Sequence, residues 1–130
     1  MSDKFNIEII TPDKTLIKSE ASQVTIPAFE GSMTILKDHI SLVTFLRPGF
    51  IEIESDKNSE KFYIEEGTVE FFKNTLLILS SMVKNIKEIS QDYIENILEN
   101  SRKEINNNEI RDKDKYILSY KINTLKEIKK

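Results

Sequence analysis

The sequence contains no cysteine, no tryptophan and a single histidine, His39, in 130 residues. Without cysteine there can be no disulfide framework, no thiolate metal site and no thiol nucleophile, and nothing demands an oxidising compartment. With one histidine, neither a two-histidine metal site nor a histidine dyad can form. We therefore expect no metal and no cofactor, and a reducing cytosol suits the composition.

Long apolar runs, concentrated positive charge and a glycine-rich loop are also missing. No stretch approaches the ~18 uncharged residues that a membrane span needs, and no apolar region follows the start of the chain, so we expect no direct membrane insertion. A net charge of −3 argues against nucleic acid as a partner. Gly31, Gly49 and Gly67 stand too far apart to form a phosphate-binding loop.

The first 72 residues hold every glycine, proline and phenylalanine of the chain. Short alternating runs such as Phe5–Ile9 and Ile51–Glu54 predict strands with one buried side, separated by turn signals at residues 11–14, 47–49, 55–58 and 73–74. Many short strands at this spacing favour an antiparallel sandwich or barrel. The apolar run Leu76–Leu79 is interpreted as a late strand buried on both faces, with a short helix as the open alternative.

After Ser90 the spacing of apolar residues becomes helical. Ile94, Ile97 and Leu98 begin the stripe of a first helix, with Ser90 as its N-cap, and the asparagine run at 106–108 predicts a turn. A second helix from about Asp112 carries a stripe of Leu118, Ile122 and Leu125. We therefore predict a β domain, residues 1–86, and an antiparallel two-helix hairpin, residues 87–130, whose narrow apolar stripes must pack on the sandwich or on another protein.

Few side chains are arranged for chemistry. Asp38, His39 and Ser41 could suggest a hydrolytic trio, but neighbours on an extended chain point in different directions. The acidic pairs at 52/54 and 65/66 are typical of solvated strand faces, and the hairpin's lysines and arginines are typical of a solvated helix surface. We expect no catalytic residue.

Four segments, in this order, resemble the epsilon subunit of the proton-translocating rotary ATP synthase: IEIITP at 7–12, IPAFEGSMTILKDH at 26–39, SLVTFLRPGFIEI at 41–53 and GTVEF at 67–71. The resemblance covers about the first 85 residues, and a helical hairpin of the family's length follows. It implies a ten-stranded β-sandwich beneath two C-terminal helices, in a non-catalytic central-stalk subunit.

In that family the sandwich grips the gamma subunit and rests on the c-ring, which passes rotation to the catalytic head. The resemblance implies that the loop Glu30-Gly31-Ser32-Met33 faces the c-ring and that His39 and Thr44 lie towards gamma. It also implies that the hairpin can restrain ATP hydrolysis by contacting alpha and beta subunits. The candidate inhibitory contacts are Arg102, Lys103, Arg111, Lys113 and Lys115.

Two departures from the family pattern are Thr34, where glycine is usual, and Ser41, where proline is common. Some members bind regulatory ATP through Ile-Asp-x-x-Arg-Ala, and the aligned ISQDYI at 89–94 lacks that aspartate and arginine, so we expect no regulatory ATP. The implied location is the cytoplasmic face of the bacterial inner membrane, as a peripheral part of the synthase. The alternative hypothesis is a free-standing β-sandwich ligand-binding module with a helical adaptor tail, which would have a concave aromatic-lined pocket.

Overall fold

The computed structural model describes residues 3–56 and 58–128. Ten strands precede the helices: β1 Phe5–Ile10, β2 Thr15–Ala21, β3 Gln23–Ala28, β4 Gly31–Leu36, β5 Leu42–Leu46, β6 Gly49–Glu54, β7 Ser59–Ile64, β8 Gly67–Phe72, β9 Thr75–Leu79 and β10 Val83–Asn85. A 3₁₀ turn at Ile86–Glu88 leads into α1 Gln91–Ile105 and α2 Asp112–Glu127.

The strands form one curled sheet that folds into a sandwich, in the order β10-β7-β6-β3-β5-β8-β9-β1-β2, with β4 paired to β3. This confirms the predicted β-sandwich followed by two helices. The sheet departs from a purely antiparallel arrangement in one place, because β1 and β9 run parallel. A hairpin turn forces its two strands to be antiparallel, and no such turn joins β1 to β9, which come from opposite ends of the strand region.

The core of the sandwich is built from alternate residues of its strands. Phe5, Ile7 and Ile9 of β1 are buried to 2% exposure or less, and the Phe5 ring meets the edge of Phe71 at 5.7 Å between centroids. The alternation predicted for this strand is therefore confirmed. Each inward residue removes apolar surface from water, which is the main free energy that stabilises such a fold.

The prediction for residues 76–79 is half right. They form strand β9, and Leu76 and Ile78 are fully buried. The expectation of burial on both faces is wrong, since Leu79 is 44% exposed and Leu77 is half-buried. The outer side of β9 is therefore only partly covered.

The predicted turns connect the strands where the sequence placed them. Lys73 and Asn74 both have positive φ, 49° and 58°, which is the geometry of a tight two-residue hairpin turn between β8 and β9. A Cβ placed on Gly49 would lie 2.6 Å from Cβ of Pro27, so the close approach of β6 to β3 requires glycine there. The turn predicted at 55–58 includes Lys57, which lies outside the described residues.

Both helices begin where predicted, and α1 ends at the predicted turn. The Ser90 hydroxyl accepts a hydrogen bond from the backbone N–H of Tyr93 at 3.1 Å, which caps α1. The asparagine run at 106–108 lies in the turn before α2, and the predicted stripe of Leu118, Ile122 and Leu125 is buried.

The hairpin lies against the sandwich. Leu125 and Ile128 from the end of α2 pack with Ile89, Ile94 and Tyr63, the last of which is a fully buried residue of β7. We call these five residues the docking cluster. The hairpin was predicted to pack on the sandwich or on another protein, and this contact is with the sandwich.

Candidate functional site

The turn predicted to face the c-ring is shorter than its sequence suggested. Only Phe29 and Glu30 form the turn, because Ala28 already pairs with Gly31 across the β3–β4 hairpin. Glu30 is exposed. Gly31 has a φ of 142°, a backbone conformation that residues other than glycine rarely adopt.

Ser32 and Met33 belong to strand β4 rather than to a loop, which corrects that part of the prediction. Their side chains alternate, so Ser32 is exposed while Met33 packs against the sandwich core. Glu30 and Ser32 are therefore the members of the predicted set with exposed side chains.

His39 lies at the opposite end of β4, in the connection to β5. Its Nδ1 is 2.7 Å from the carbonyl oxygen of Ile40, and its ring meets the edge of Phe71 at 5.9 Å. Asp38 has a φ of 66° and is tied to Asn74, whose amide donates to the Asp38 carboxylate at 2.9 Å. Asp38 and His39 thus have separate partners, and the hydrolytic trio with Ser41 is not assembled.

Thr44, the second predicted gamma contact, is half-buried and shares the inner side of β5 with Leu42 and Leu46. Its neighbours Val43 and Phe45 point outward and are 76% and 63% exposed. The exposed surface of β5 is therefore presented by the residues on either side of Thr44.

Val43 and Phe45 are part of an exposed apolar surface that was not predicted from the sequence. Phe45 lies across from Thr68, and Thr68 lies across from Leu79, so Phe45 and Leu79 are on one face. Phe72 of β8 shares that face and is 53% exposed. We call Val43, Phe45, Phe72 and Leu79 the outer apolar strip. The available signal was that β5 carries apolar residues on both of its faces. A strand with one solvent-exposed face would carry polar residues on that face.

The five basic candidates lie around the turn between the helices and are all exposed. Two of them form ion pairs within the hairpin: Lys103 with Glu99 at 3.4 Å and Arg111 with Asp114 at 3.3 Å. The segment 102–115 contains five basic and four acidic residues, so it is not a concentrated positive surface.

The predicted carboxylate pairs are engaged in structural contacts. Glu52 pairs with Lys61 at 3.6 Å, and Glu65 pairs with Lys121 at 3.3 Å. Burial opposes ionisation of Glu66, but hydrogen bonds from Ser81 and Ser80 outweigh it and hold the pKa of Glu66 below its usual value. Burial, together with the charge of Glu65 and the hydrogen bond to it, raises the pKa of Tyr63.

Residues 3–56 and 58–128 contain no group of three or more acidic or histidine side chains placed to hold a metal ion. Within the same residues, neither helix has the length and apolar character that crossing a membrane would require.

The pocket expected for a ligand-binding module would lie in the concave interior of the sandwich, which the core side chains fill. An apolar-lined groove of about 690 Å³ lies elsewhere, between the start of α2 and one end of the sandwich. Phe29, Phe45 and Ile117 contribute to its walls. It is a gap between the hairpin and the sandwich and depends on where the hairpin lies.

Known proteins were compared with the chain. The family profile described as ATP synthase, Delta/Epsilon chain, beta-sandwich domain matches residues 4–85. An ATP synthase epsilon chain from Pelagibacter ubique is 43% identical over 98% of this chain and 99% of its own length. One from Sinorhizobium fredii is 28% identical over 81% of this chain and 79% of its own.

Solved structures share the fold at low identity. A chain of the Euglena gracilis mitochondrial ATP synthase, from a cryo-EM structure of OSCP, F1 and the c-ring, matches with a TM-score of 0.80 at 19% identity, over 97% of this chain and 81% of that one. A chain of the Tetrahymena thermophila mitochondrial ATP synthase, from its central stalk and c-ring, gives 0.68 at 20% identity, over 94% and 93%. Because the profile covers most of the chain and the Pelagibacter relative is 43% identical over nearly all of it, this chain belongs to the ATP synthase epsilon chain family.

Proposed function

We propose that this chain is a non-catalytic central-stalk subunit that couples rotation of the c-ring to the catalytic head through the gamma subunit. It would act at the cytoplasmic face of the bacterial inner membrane, as a peripheral part of the synthase. The observation that carries this proposal is the outer apolar strip, four exposed apolar side chains on three neighbouring strands of a protein whose family works inside a larger assembly.

The outer apolar strip is the surface that we assign to the gamma subunit. Exposed apolar side chains grouped on one face of a sheet are characteristic of protein interfaces, because leaving them in water forfeits the free energy of burial. In this strip, Thr68 and the exposed Glu70 of β8 lie among the apolar side chains. His39 lies in the connection that leads into β5, next to exposed Ile40, and its ring packs against the inward Phe71, so its proposed contact with gamma would be made at the end of the sandwich beside the strip. Val43 and Phe45, rather than the inward Thr44, would make the central contacts.

The β3–β4 turn is the surface that we assign to the c-ring. Glu30 lies at one end of β4 and His39 lies beyond the other, and a strand of six residues spans roughly 17 Å. The Phe45 end of the strip adjoins this turn, since the backbone N–H of Phe29 donates to the carbonyl oxygen of Phe45 at 2.9 Å, whereas the His39 end lies away from it. In the proposed arrangement the sandwich touches the c-ring with Glu30 and gamma with the strip at the same time. This arrangement would let the subunit pass torque without making or breaking bonds.

The hairpin, residues 87–130, is proposed to act as a unit separate from the β domain, residues 1–86, and to restrain ATP hydrolysis by contacting alpha and beta subunits. Arg102, Lys103, Arg111, Lys113 and Lys115 are the proposed contacts. Since acidic residues alternate with them, their effect would come from specific pairs rather than from overall charge. A hydrolysis assay of the assembled complex with and without residues 90–130 tests this role, and unchanged activity after truncation would exclude it.

We also propose that regulatory ATP is not bound. The positions that correspond to the ATP-binding motif have other uses in this chain, since Ser90 caps α1, Tyr93 packs beneath the Lys84 ammonium group at 4.3 Å and Ile94 is buried in the docking cluster. Equilibrium dialysis of the isolated chain with ATP should show no saturable binding.

The rotor assignment is tested at the strip itself. Replacing Val43 and Phe45 together with aspartate places two charges where an apolar partner surface would bury them, so affinity for gamma should fall by at least about tenfold. The measurement is co-purification of gamma and the c-ring with the tagged chain. Ser19→Asp, an exposed strand position of β2 outside the strip, is the matched control.

If the double variant still brings down gamma as well as the control does, the strip is not the gamma surface. If the unaltered chain binds neither gamma nor c-ring, the rotor assignment fails. A saturable small ligand in the groove between α2 and the sandwich would then favour the ligand-binding module.

A further inference from the structure

We propose that Arg47, Phe29, Tyr116 and Tyr120 form a catch that holds the N-terminal and central part of α2 on the sandwich and thereby sets how readily the hairpin leaves it. This inference rests on the proposed role of the hairpin as a movable unit. It names the contacts on which release would depend.

Aromatic rings connect the hairpin to the turn between β3 and β4. The rings of Phe29 and Tyr116 lie 5.7 Å apart, and those of Tyr116 and Tyr120 lie 4.9 Å apart with their edges and faces in contact. The Tyr116 hydroxyl also reaches the carbonyl oxygen of Phe29 at 3.4 Å. Such ring pairs attract beyond the area that they bury.

Arg47 completes the catch from the turn before β6. Its guanidinium carbon lies 3.9 Å from the centre of the Tyr120 ring, within the range of a cation–π interaction. Its Nε is buried and has no hydrogen-bond partner within residues 3–56 and 58–128. The ring of Tyr120 is thus the contact that holds the guanidinium to the hairpin, in place of a carboxylate.

This kind of contact suits a reversible attachment. Separating a buried arginine from a carboxylate would leave two charges to be solvated, whereas Arg47 leaves a ring and gains a water hydrogen bond for Nε. The attraction and the unsatisfied Nε therefore oppose each other, and the docked position is held only moderately. The apolar docking cluster lies at the other end of α2, so the two contacts act on different parts of the helix.

The test is hydrogen exchange of the full-length isolated chain. Tyr120→Leu keeps an apolar side chain but removes the ring face, and Arg47→Gln removes the cation. Tyr120→Leu should raise the exchange of α2 amides by about three- to tenfold, because it removes the cation–π contact and the ring pair with Tyr116. Arg47→Gln should raise it by a smaller factor of about two to three, because it removes the unsatisfied Nε together with the attraction. The double variant should exchange no faster than Tyr120→Leu alone, because that change already removes the contact with Arg47.

Arg102→Gln, an exposed arginine at the end of α1, is the matched control and should leave α2 exchange unchanged. Amides of β1 and β9 report whether the sandwich stays folded. Tyr120→Leu alters no sandwich residue, so it tests the catch even if Arg47→Gln disturbs the turn before β6.

Unchanged or slower exchange of α2 in Tyr120→Leu, or effects of the two changes that multiply in the double variant, would overturn the catch. The truncation assay on the assembled complex tests inhibition separately. The hairpin can fail to inhibit while the catch holds it, and it can inhibit while other contacts hold it.

Discussion

The sandwich and the hairpin both bury apolar side chains but are stabilised very differently. In the sandwich, inward residues from all ten strands lie in or pack against one continuous cluster, most of them 0 to 4% exposed. The hairpin meets the sandwich through the docking cluster, in which Tyr63 is the sandwich's fully buried contribution. We therefore expect the sandwich to fold on its own core and the position of the hairpin to be a second, smaller equilibrium.

The largest expected effect is in the sandwich core. Phe71→Ala removes a ring that is 1% exposed and packs against Phe5, so global stability should fall by about 3–5 kcal/mol. Urea denaturation, followed by circular dichroism of the strands, measures this loss. Phe72→Ala, the neighbouring residue on the exposed side of β8, is the control and should change stability little. Equal losses of stability in the two variants would show that burial on the inner side of β8 is not what stabilises the fold.

A smaller effect is expected in the docking cluster. Leu125→Ala opens a cavity between α2 and the sandwich and should weaken docking by about 2–4 kcal/mol, because Leu125 is fully buried. Amides of α2 should lose protection from hydrogen exchange, while the urea midpoint of the strands stays close to that of the unaltered chain. Lys126→Ala, exposed at the next position, is the control. A midpoint that falls as far as in Phe71→Ala would mean that the two regions unfold as one unit, and the contrast between them would be lost.

Local patterns made the elements predictable. The alternation of Phe5, Ile7 and Ile9 depends only on the period of a strand, and the start of α1 depends on one serine and the backbone three residues on. Turn residues such as Lys73 and Asn74 likewise act through their own backbone. These features need no knowledge of which strand lies beside which.

Features set by distant parts of the chain were not predictable. Leu79 was assigned to the wrong environment because the covering of each strand face depends on neighbours brought together by the whole sheet. The parallel pairing of β1 with β9 has the same origin. Arg47 and Tyr120 meet only after the sandwich and the hairpin have both formed, so neither sequence segment marks the contact.

The smallest expected effect is a pH dependence of stability that involves the sandwich but not the hairpin. Ser80 and Ser81 bind the ionised carboxylate of Glu66 and keep its pKa below the ordinary 4.5, despite the opposing effect of burial. The folded state therefore binds a proton at the Glu66 carboxylate less tightly than the unfolded state does. The resulting stability is fully present above the unfolded-state pKa and is lost as pH falls through the lower, folded-state value. Glu66→Gln should thus lower the urea midpoint of the strands at about pH 6, and its difference from the unaltered chain should shrink as the pH falls below the unfolded-state pKa of Glu66. Glu70→Gln, on the exposed side of β8, is the control.

Because Glu66 joins two turns of the sandwich and bonds only to residues of that region in the contacts described, α2 exchange should be the same in both variants at about pH 6. A difference between the Glu66→Gln and unaltered chains that stays constant with pH would show that the serines do not favour the charged carboxylate.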